Sequence, residues 1–259
     1  MKPLLILLYF LSFSLLAQDS ITTTLEQKDS IDADIFISKN NFENVYFIKD
    51  NVLIKTSDKQ SSNYSNIQLG KIASVHTFNP LKINVFYANL NTVIILDNRL
   101  AEVSKLDFNT IQPYKNVSHV TTGFDNTIWL FNQDFQYLEL YDYKTQTSRY
   151  KTIPVASKVL DLTSNYNYCW LLTENNLYCY NYFGSLVYKI KNDGYSKIKA
   201  ANEDLVIQKD EALIFYNHKT KTLMPIALQN MLISQFFVTN QILYIYNRKS
   251  LFQYKLKTD

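Results

Sequence analysis

Apolar and polar positions alternate along most of this chain, in runs of about four to six residues broken by polar turn formers, which is the pattern of β-strands. The stretch YCWLLTENNLYCYNYFGSLVYKI, residues 168–190, holds three such runs in succession. The arrangement recurs. Runs of the same kind begin at Asn44 (NVYFIK), Ile83 (INVFYA), Thr127 (TIWLFN), Tyr168 (YCWLLT), Asp204 (DLVIQK) and Ile242 (ILYIYN). Each is followed by a further run (VLIKT, TVIIL, YLELYD, LYCYN, ALIFYN, SLFQYK) and preceded by another (DIFIS, ASVHT, SHVTT, KVLDLT, KIKAA, SQFFVT). Six copies of a four-stranded unit at a period of ~40 residues predict an all-β fold, a single β-propeller. One such sheet cannot bury both of its faces alone, whereas blades stacked around an axis bury them against each other. The sixth copy has no clear fourth strand before Asp259, so the segment DSITTTLEQKDS, residues 19–30, is expected to supply it and close the ring. A five-bladed ring with a separate hairpin, or an incomplete seven, is the rival count. No Pro/Gly/Ser-rich linker divides residues 18–259, which read as one domain.

The first 17 residues stand apart from this pattern. MKPLLILLYFLSFSLLA carries Lys2 and then an unbroken apolar run to Ala17, followed by Gln18 and Asp19. The run is shorter than the ~20 residues a membrane span needs. Its layout is that of a cleaved secretory signal, with an uncleaved N-terminal anchor as the alternative, so the mature chain is expected in the periplasm with no membrane span. No Cys follows the run, which argues against a lipoprotein anchor.

Composition changes the picture in two places. Twenty Tyr and 16 Phe favour strands, while four Gly leave most turns to Asn and Asp, which tolerate left-handed backbone. The formal charge of +3, with no extended Lys/Arg cluster, lacks the footprint of nucleic-acid binding.

Candidate chemistry is sparse. Nucleophile elbows, metalloprotease helices and phosphate-cradling glycine loops are absent. His76 and His119 fall on first strands of adjacent blades in non-equivalent register, and His218 lies elsewhere; isolated hydrogen-bonded residues are the preferred reading over a metal pair. Asp34, Asp125 and Asp161 lie on or near inner strands and make no convincing oxygen cage for a hard cation. No cofactor, metal or catalytic residue is therefore expected. Cys169 and Cys179 lie on neighbouring strands of one blade, where export to an oxidising compartment allows a disulfide and cross-strand geometry strains one. Trp129 and Trp170 read as packing between blades. The most distinctive segment is FNPLKINVFYANLNTVIILDNRLAEV, residues 78–103. There Phe78, Asn79, Lys82, Tyr87, Asn91, Asp97, Asn98 and Arg99 are candidates for a polar and aromatic patch that meets a protein partner, with self-capped blade turns as the alternative.

The same segment resembles one found in secreted β-propeller proteins of the Bacteroidota envelope. That group includes accessory subunits of the type IX protein secretion machinery. The resemblance implies a translocon-associated role, with other envelope proteins, outer-membrane secretion subunits among them, as partners. The expected function is a non-catalytic periplasmic interaction scaffold. The rival is a funnel-type glycan-binding or hydrolytic, lactonase-like propeller, which would need carboxylates or histidines converging at one funnel mouth.

Overall fold

A computed structural model describes residues 20–57 and 60–257. The signal-like stretch 1–17 lies outside the described residues. Six four-stranded antiparallel sheets form the blades, each running from an inner to an outer strand. Blade 1 comprises β2 (Ile35–Lys39), β3 (Val45–Lys49), β4 (Val52–Thr56) and β5 (Ser61–Tyr64). Blade 2 comprises β6 (Ser74–His76), β7 (Ile83–Tyr87), β8 (Thr92–Leu96) and β9 (Glu102–Asp107). Blade 3 holds β10 (Val117–Thr122), β11 (Thr127–Asn132), β12 (Tyr137–Asp142) and β13 (Thr147–Lys151). Blade 4 holds β14 (Val159–Ser164), β15 (Tyr168–Thr173), β16 (Asn176–Asn181) and β17 (Leu186–Lys191). Blade 5 holds β18 (Tyr195–Ala201), β19 (Asp204–Lys209), β20 (Ala212–Asn217) and β21 (Thr222–Pro225). Blade 6 combines β22 (Gln235–Thr239), β23 (Ile242–Tyr246) and β24 (Ser250–Lys257) with the N-terminal β1 (Thr22–Ser30). The expected six-bladed ring and its N-terminal closure are both present. The polar connection after β4 carries the short outer strand β5.

The closing strand is longer than its β-branched stretch suggested. It pairs with β24 from Thr22↔Lys257 to Ser30↔Ser250, past a register shift between Leu25 and Gln27. Nearly all its side chains are exposed, so backbone pairing holds it. Its one buried anchor is Ile21, which exchanges hydrogen bonds with Pro225 and Ala227 of blade 5 and packs between blades 5 and 6.

The core is divided among the blade interfaces. Tyr46, Leu53, Val85 and Ile94 pack between blades 1 and 2, and Phe86, Leu106, Leu130 and Tyr141 between blades 2 and 3. Trp129, Leu140 and Leu171 fill the next seam, Trp170, Leu177 and Ile207 the one after. Both tryptophans are core, as expected. The seam between blades 6 and 1 is the thinnest, with only Phe36, Tyr244, Tyr246 and Leu251 fully buried in it.

Turn chemistry follows the scarcity of glycine. The β3–β4 turn uses Asp50 and Asn51, both at positive φ, and the β22–β23 turn uses Asn240 and Gln241 in the same way. Third strands of blades 2 to 5 end on or just before Asp97, Asp142, Asn181 and Asn217, whose side chains accept backbone N–H bonds from the turn that follows. Not every left-handed position is Asn or Asp, however. Glu43, Leu100, Gln136 and Arg248 also adopt positive φ, a strain held in place by the paired strands on either side.

Cys169 and Cys179 are free and buried, so the disulfide allowed by the sequence does not form. The strand register explains why. Cys169 lies opposite Tyr180 and Cys179 opposite Trp170. Residues paired across a sheet share a face and neighbours along a strand do not. Cys169 therefore packs in the seam toward blade 3 and Cys179 in the seam toward blade 5.

Candidate functional site

The turns joining first to second strands, and third to fourth, lie together on one face of the ring, here called upper. The remaining turns and the blade-to-blade connections form the lower face. Inner strands line an axial channel between them.

Four of the six inner strands carry a register shift against their neighbours, at Phe36/Ser38, Val117/His119, Val159/Asp161 and Tyr195/Lys197. Such a bulge re-aims side chains. Ser118 with His119, Leu160 with Asp161, and Ser196 with Lys197 all border the channel as consecutive pairs. β6 pairs without a shift, from Ser74↔Phe86 to His76↔Asn84. This accounts for the non-equivalent register of the two channel histidines.

The channel has an upper chamber of about 310 Å³ and a lower one of about 430 Å³. They meet at a waist of Ile37, Val75, His76 and Lys199, which line both. Above the waist, hydroxyls link the blades. Ser38 Oγ bonds Thr77 Oγ1 at 2.6 Å, His76 Nδ1 bonds Thr121 Oγ1 at 3.3 Å, and Thr121 Oγ1 bonds Ser164 Oγ at 2.9 Å. Ser164 Oγ in turn donates to the Thr122 carbonyl. Below the waist, Asp161 accepts the backbone N–H groups of Leu162 and Ile198 at 2.9 Å each, tying blade 4 to blade 5. It is the only carboxylate among the residues lining either chamber. Burial, with Lys199 and His119 nearby, pushes the His76 pKa down to about 3. Burial also lowers His119, against the pull of Asp161. His218 lies elsewhere, packed against the rings of Tyr168 and Tyr188 at 4.9 and 5.4 Å.

The eight candidate contact residues of blade 2 do not share one surface. Phe78 is exposed on the upper face, with Asn79 beside it; Asn98 and Arg99 are exposed in a separate upper turn. Asp97 shapes that turn by accepting the N–H groups of Arg99 and Ala101, which lower its pKa. The other three are buried and serve the fold. Tyr87 is fully buried in the seam with blade 1. Asn91 sits at the lower end of the blade, donating to the Lys115 carbonyl at 2.6 Å and accepting from Val117 N. Lys82 reaches into the β10–β11 turn and donates to the carbonyls of Gly123, Asp125 and Thr127 at 2.8, 2.5 and 3.0 Å. Burial pushes its pKa down to about 8; the three acceptors, which only an ammonium can fill, act the other way.

What the upper face presents instead is an arc of exposed aromatics. It runs from Phe42 in blade 1 through Phe78 in blade 2 and Phe124 in blade 3 to Tyr166, Tyr182 and Phe183 in blade 4. Phe78 meets Tyr166 edge-on at 4.7 Å, Phe124 meets Tyr182 at 5.6 Å, and Tyr182 meets Phe183 at 4.0 Å. The equivalent first turns of blades 5 and 6 carry Asn202, Glu203, Asn240 and Gln241. Aligning the repeats shows aromatics at these turn positions in the first four copies. The same alignment shows inner strands ending at or next to Ser38, Thr77, Thr122, Ser164 and Thr239, where blade 5 has Ala200 and Ala201 after Lys199. The hydroxyl ladder was thus readable as a repeat feature, and Lys199 as its exception.

No protein-family model matches the chain, and no curated protein sequence does. Solved structures do. A streptogramin B lyase superposes with a TM-score of 0.62 at 13% identity, over 85% of this chain and 78% of that one. BamB from Moraxella catarrhalis gives 0.53 at 8% identity, over 90% of this chain and 99% of its own. PorZ, described as an essential bacterial surface component of the type-IX secretion system of Porphyromonas gingivalis, gives 0.53 at 14% identity, over 85% of this chain and 32% of its own. At these identities the likeness is one of fold.

Proposed function

We propose that this chain is a non-catalytic interaction scaffold of the bacterial periplasm, and that the aromatic arc of the upper face is where a partner protein docks. The arc carries the reading. Exposed aromatics grouped on one rigid rim supply large contact area at small entropic cost, as interface anchors do. The blade turns that hold them are fixed by the paired strands beneath. The partner is another envelope protein, and the specific assignment is an accessory subunit of an outer-membrane assembly such as the type IX translocon. The segment 78–103 and the presence of PorZ among the similar folds support that assignment. The hydrolytic alternative needs carboxylates or histidines converging at one funnel mouth. Asp161 already has both oxygens engaged by backbone N–H groups, and Nδ1 of His76 and of His119 each bonds a neighbouring hydroxyl, that of Thr121 and Ser118 respectively.

The test is recovery of a C-terminally tagged chain from native envelopes, compared with a Phe78→Ser/Phe124→Ser/Phe183→Ser variant. Stoichiometric co-elution of outer-membrane secretion subunits with the wild type, lost in a variant of unchanged Tm, supports the assignment. Recovery of the propeller alone, or equal recovery by the variant, sinks it.

A further inference from the structure

The upper chamber has an unbalanced charge inventory. No Asp or Glu lines it, while Lys39, Lys199 and His76 do. Lys39 is matched, since its ammonium pairs with Glu43 and lies 5.9 Å from the Tyr244 ring centroid. Lys199 is not. It is half-buried at the waist, and its ammonium makes no hydrogen bond or ion pair with any described residue. An ammonium that faces the channel with no counter-charge is a ready anchor for an anion. The waist is therefore short of one negative charge that the described residues do not provide.

The neighbouring polar atoms say what accompanies that charge. Ser164 Oγ donates its one hydrogen to the Thr122 carbonyl, so toward Thr121 it accepts. Thr121 thereby commits its own hydrogen to Ser164, and toward His76 it accepts in turn. His76 then carries its proton on Nδ1. Its Nε2, on a ring bordering both chambers and without a partner among the described residues, presents a lone pair. A bare carboxylate satisfies Lys199 and repels that lone pair. A carboxylate bearing a hydroxyl satisfies both, by charge at Lys199 and by O–H donation to His76.

We propose that the upper chamber binds a small hydroxylated carboxylate, a hydroxy acid or sugar acid, with its carboxylate at Lys199 and a hydroxyl at His76. Phe78 lines the same chamber nearer its mouth. The chamber volume is at the small end of ligand sites, ~300–1,000 Å³, which suits one such molecule. The mouth of this site shares Phe42 and Phe78 with the docking rim, whereas Lys199 and His76 lie below it at the waist.

D-glucuronate is the probe, with D-glucose (no charge) and acetate (no hydroxyl) as controls, read by calorimetry and by Tm of the mature chain. Glucuronate is expected to bind saturably with a Kd of about 1 mM or tighter, and each control at least about tenfold more weakly. Lys199→Met is expected to weaken glucuronate at least about tenfold and, without ligand, to leave Tm unchanged or raised, because it removes an unmatched charge. No glucuronate binding, equal binding by Lys199→Met, equal binding of either control, or a lower Tm for unliganded Lys199→Met each overturns the proposal. Recovery of the envelope partner by Lys199→Met is expected to match the wild type, so failure of this site and failure of the docking rim are read separately.

Discussion

Lys115 and Glu139 form an ion pair at 2.5 Å with 3% and 0% of their side-chain surfaces exposed. Glu139 sits in the middle of β12 and Lys115 in the connection from blade 2 to blade 3. Ser148 Oγ also donates to Glu139 Oε1, and the Lys115 ammonium lies 5.2 Å from the Tyr141 ring centroid. Glu139 Oε2 has no partner among the described residues. Lys115→Met would leave a buried carboxylate with a single hydroxyl donor. Breaking a buried pair on one side costs about 3–5 kcal/mol, whereas replacing both partners with apolar side chains is often neutral or better. For a domain of this size each kcal/mol moves Tm by ~2–4 °C, so the single variant should lose about 6–20 °C. The assay is a double-mutant cycle of Lys115→Met, Glu139→Met and the double variant, by urea unfolding. Trp129, buried in the same blade on β11, gives the fluorescence signal. The double variant should be more stable than either single one. A Lys115→Met loss below ~1 kcal/mol, or a double variant as unstable as the two losses summed, would refute the account, since independent sites add and coupled ones do not.

Other outcomes follow from the seams and the channel. His76 is held neutral in the fold, down to about 3 from an ordinary 6.5. The unfolded chain therefore binds more protons between those values, and the contribution of this group, complete above pH ~6.5, drains away as pH falls toward the folded pKa. Tm of wild type should fall more steeply over that window than Tm of His76→Gln; parallel profiles count against it. Deleting residues 20–30 removes the partner of β24 and the Ile21 anchor, leaving an open sheet edge. Such a chain should melt lower and self-associate by light scattering, while an unchanged monomer would contradict closure by β1. Hydrogen exchange should be fastest, among the seams, where blades 6 and 1 meet at Phe36 and Tyr246, the thinnest of the six cores. Cys169 and Cys179, whose thiols burial pushes up, Cys179 to about 12, should resist alkylation until denaturant is added, and reduction should leave the mass unchanged.

The strand spans, the six-fold repeat and the Asx-capped turns came from local pattern, because alternation with period two and turn chemistry are carried by neighbouring residues. The second strands begin at or within a residue of where the repeat placed them, from β3 to β23. A cleaved leader is an expectation from the sequence, and the scaffold role rests on the resemblance of residues 78–103; both are proposals to be tested by experiment. Tertiary structure alone decided what depends on register between strands far apart. A one-residue offset sends Cys169 and Cys179 to opposite seams. Bulges turn Ser118–His119 and Leu160–Asp161 into the channel. Lys82, Tyr87 and Asn91, which looked like surface chemistry in their own blade, are drawn inward because blades 1 and 3 supply their cover and their acceptors. Lys115 and Glu139 make the same point, since a charge can be buried only where another element brings its partner. Closing the ring decided which polar side chains remained without one, and left Lys199 at the waist.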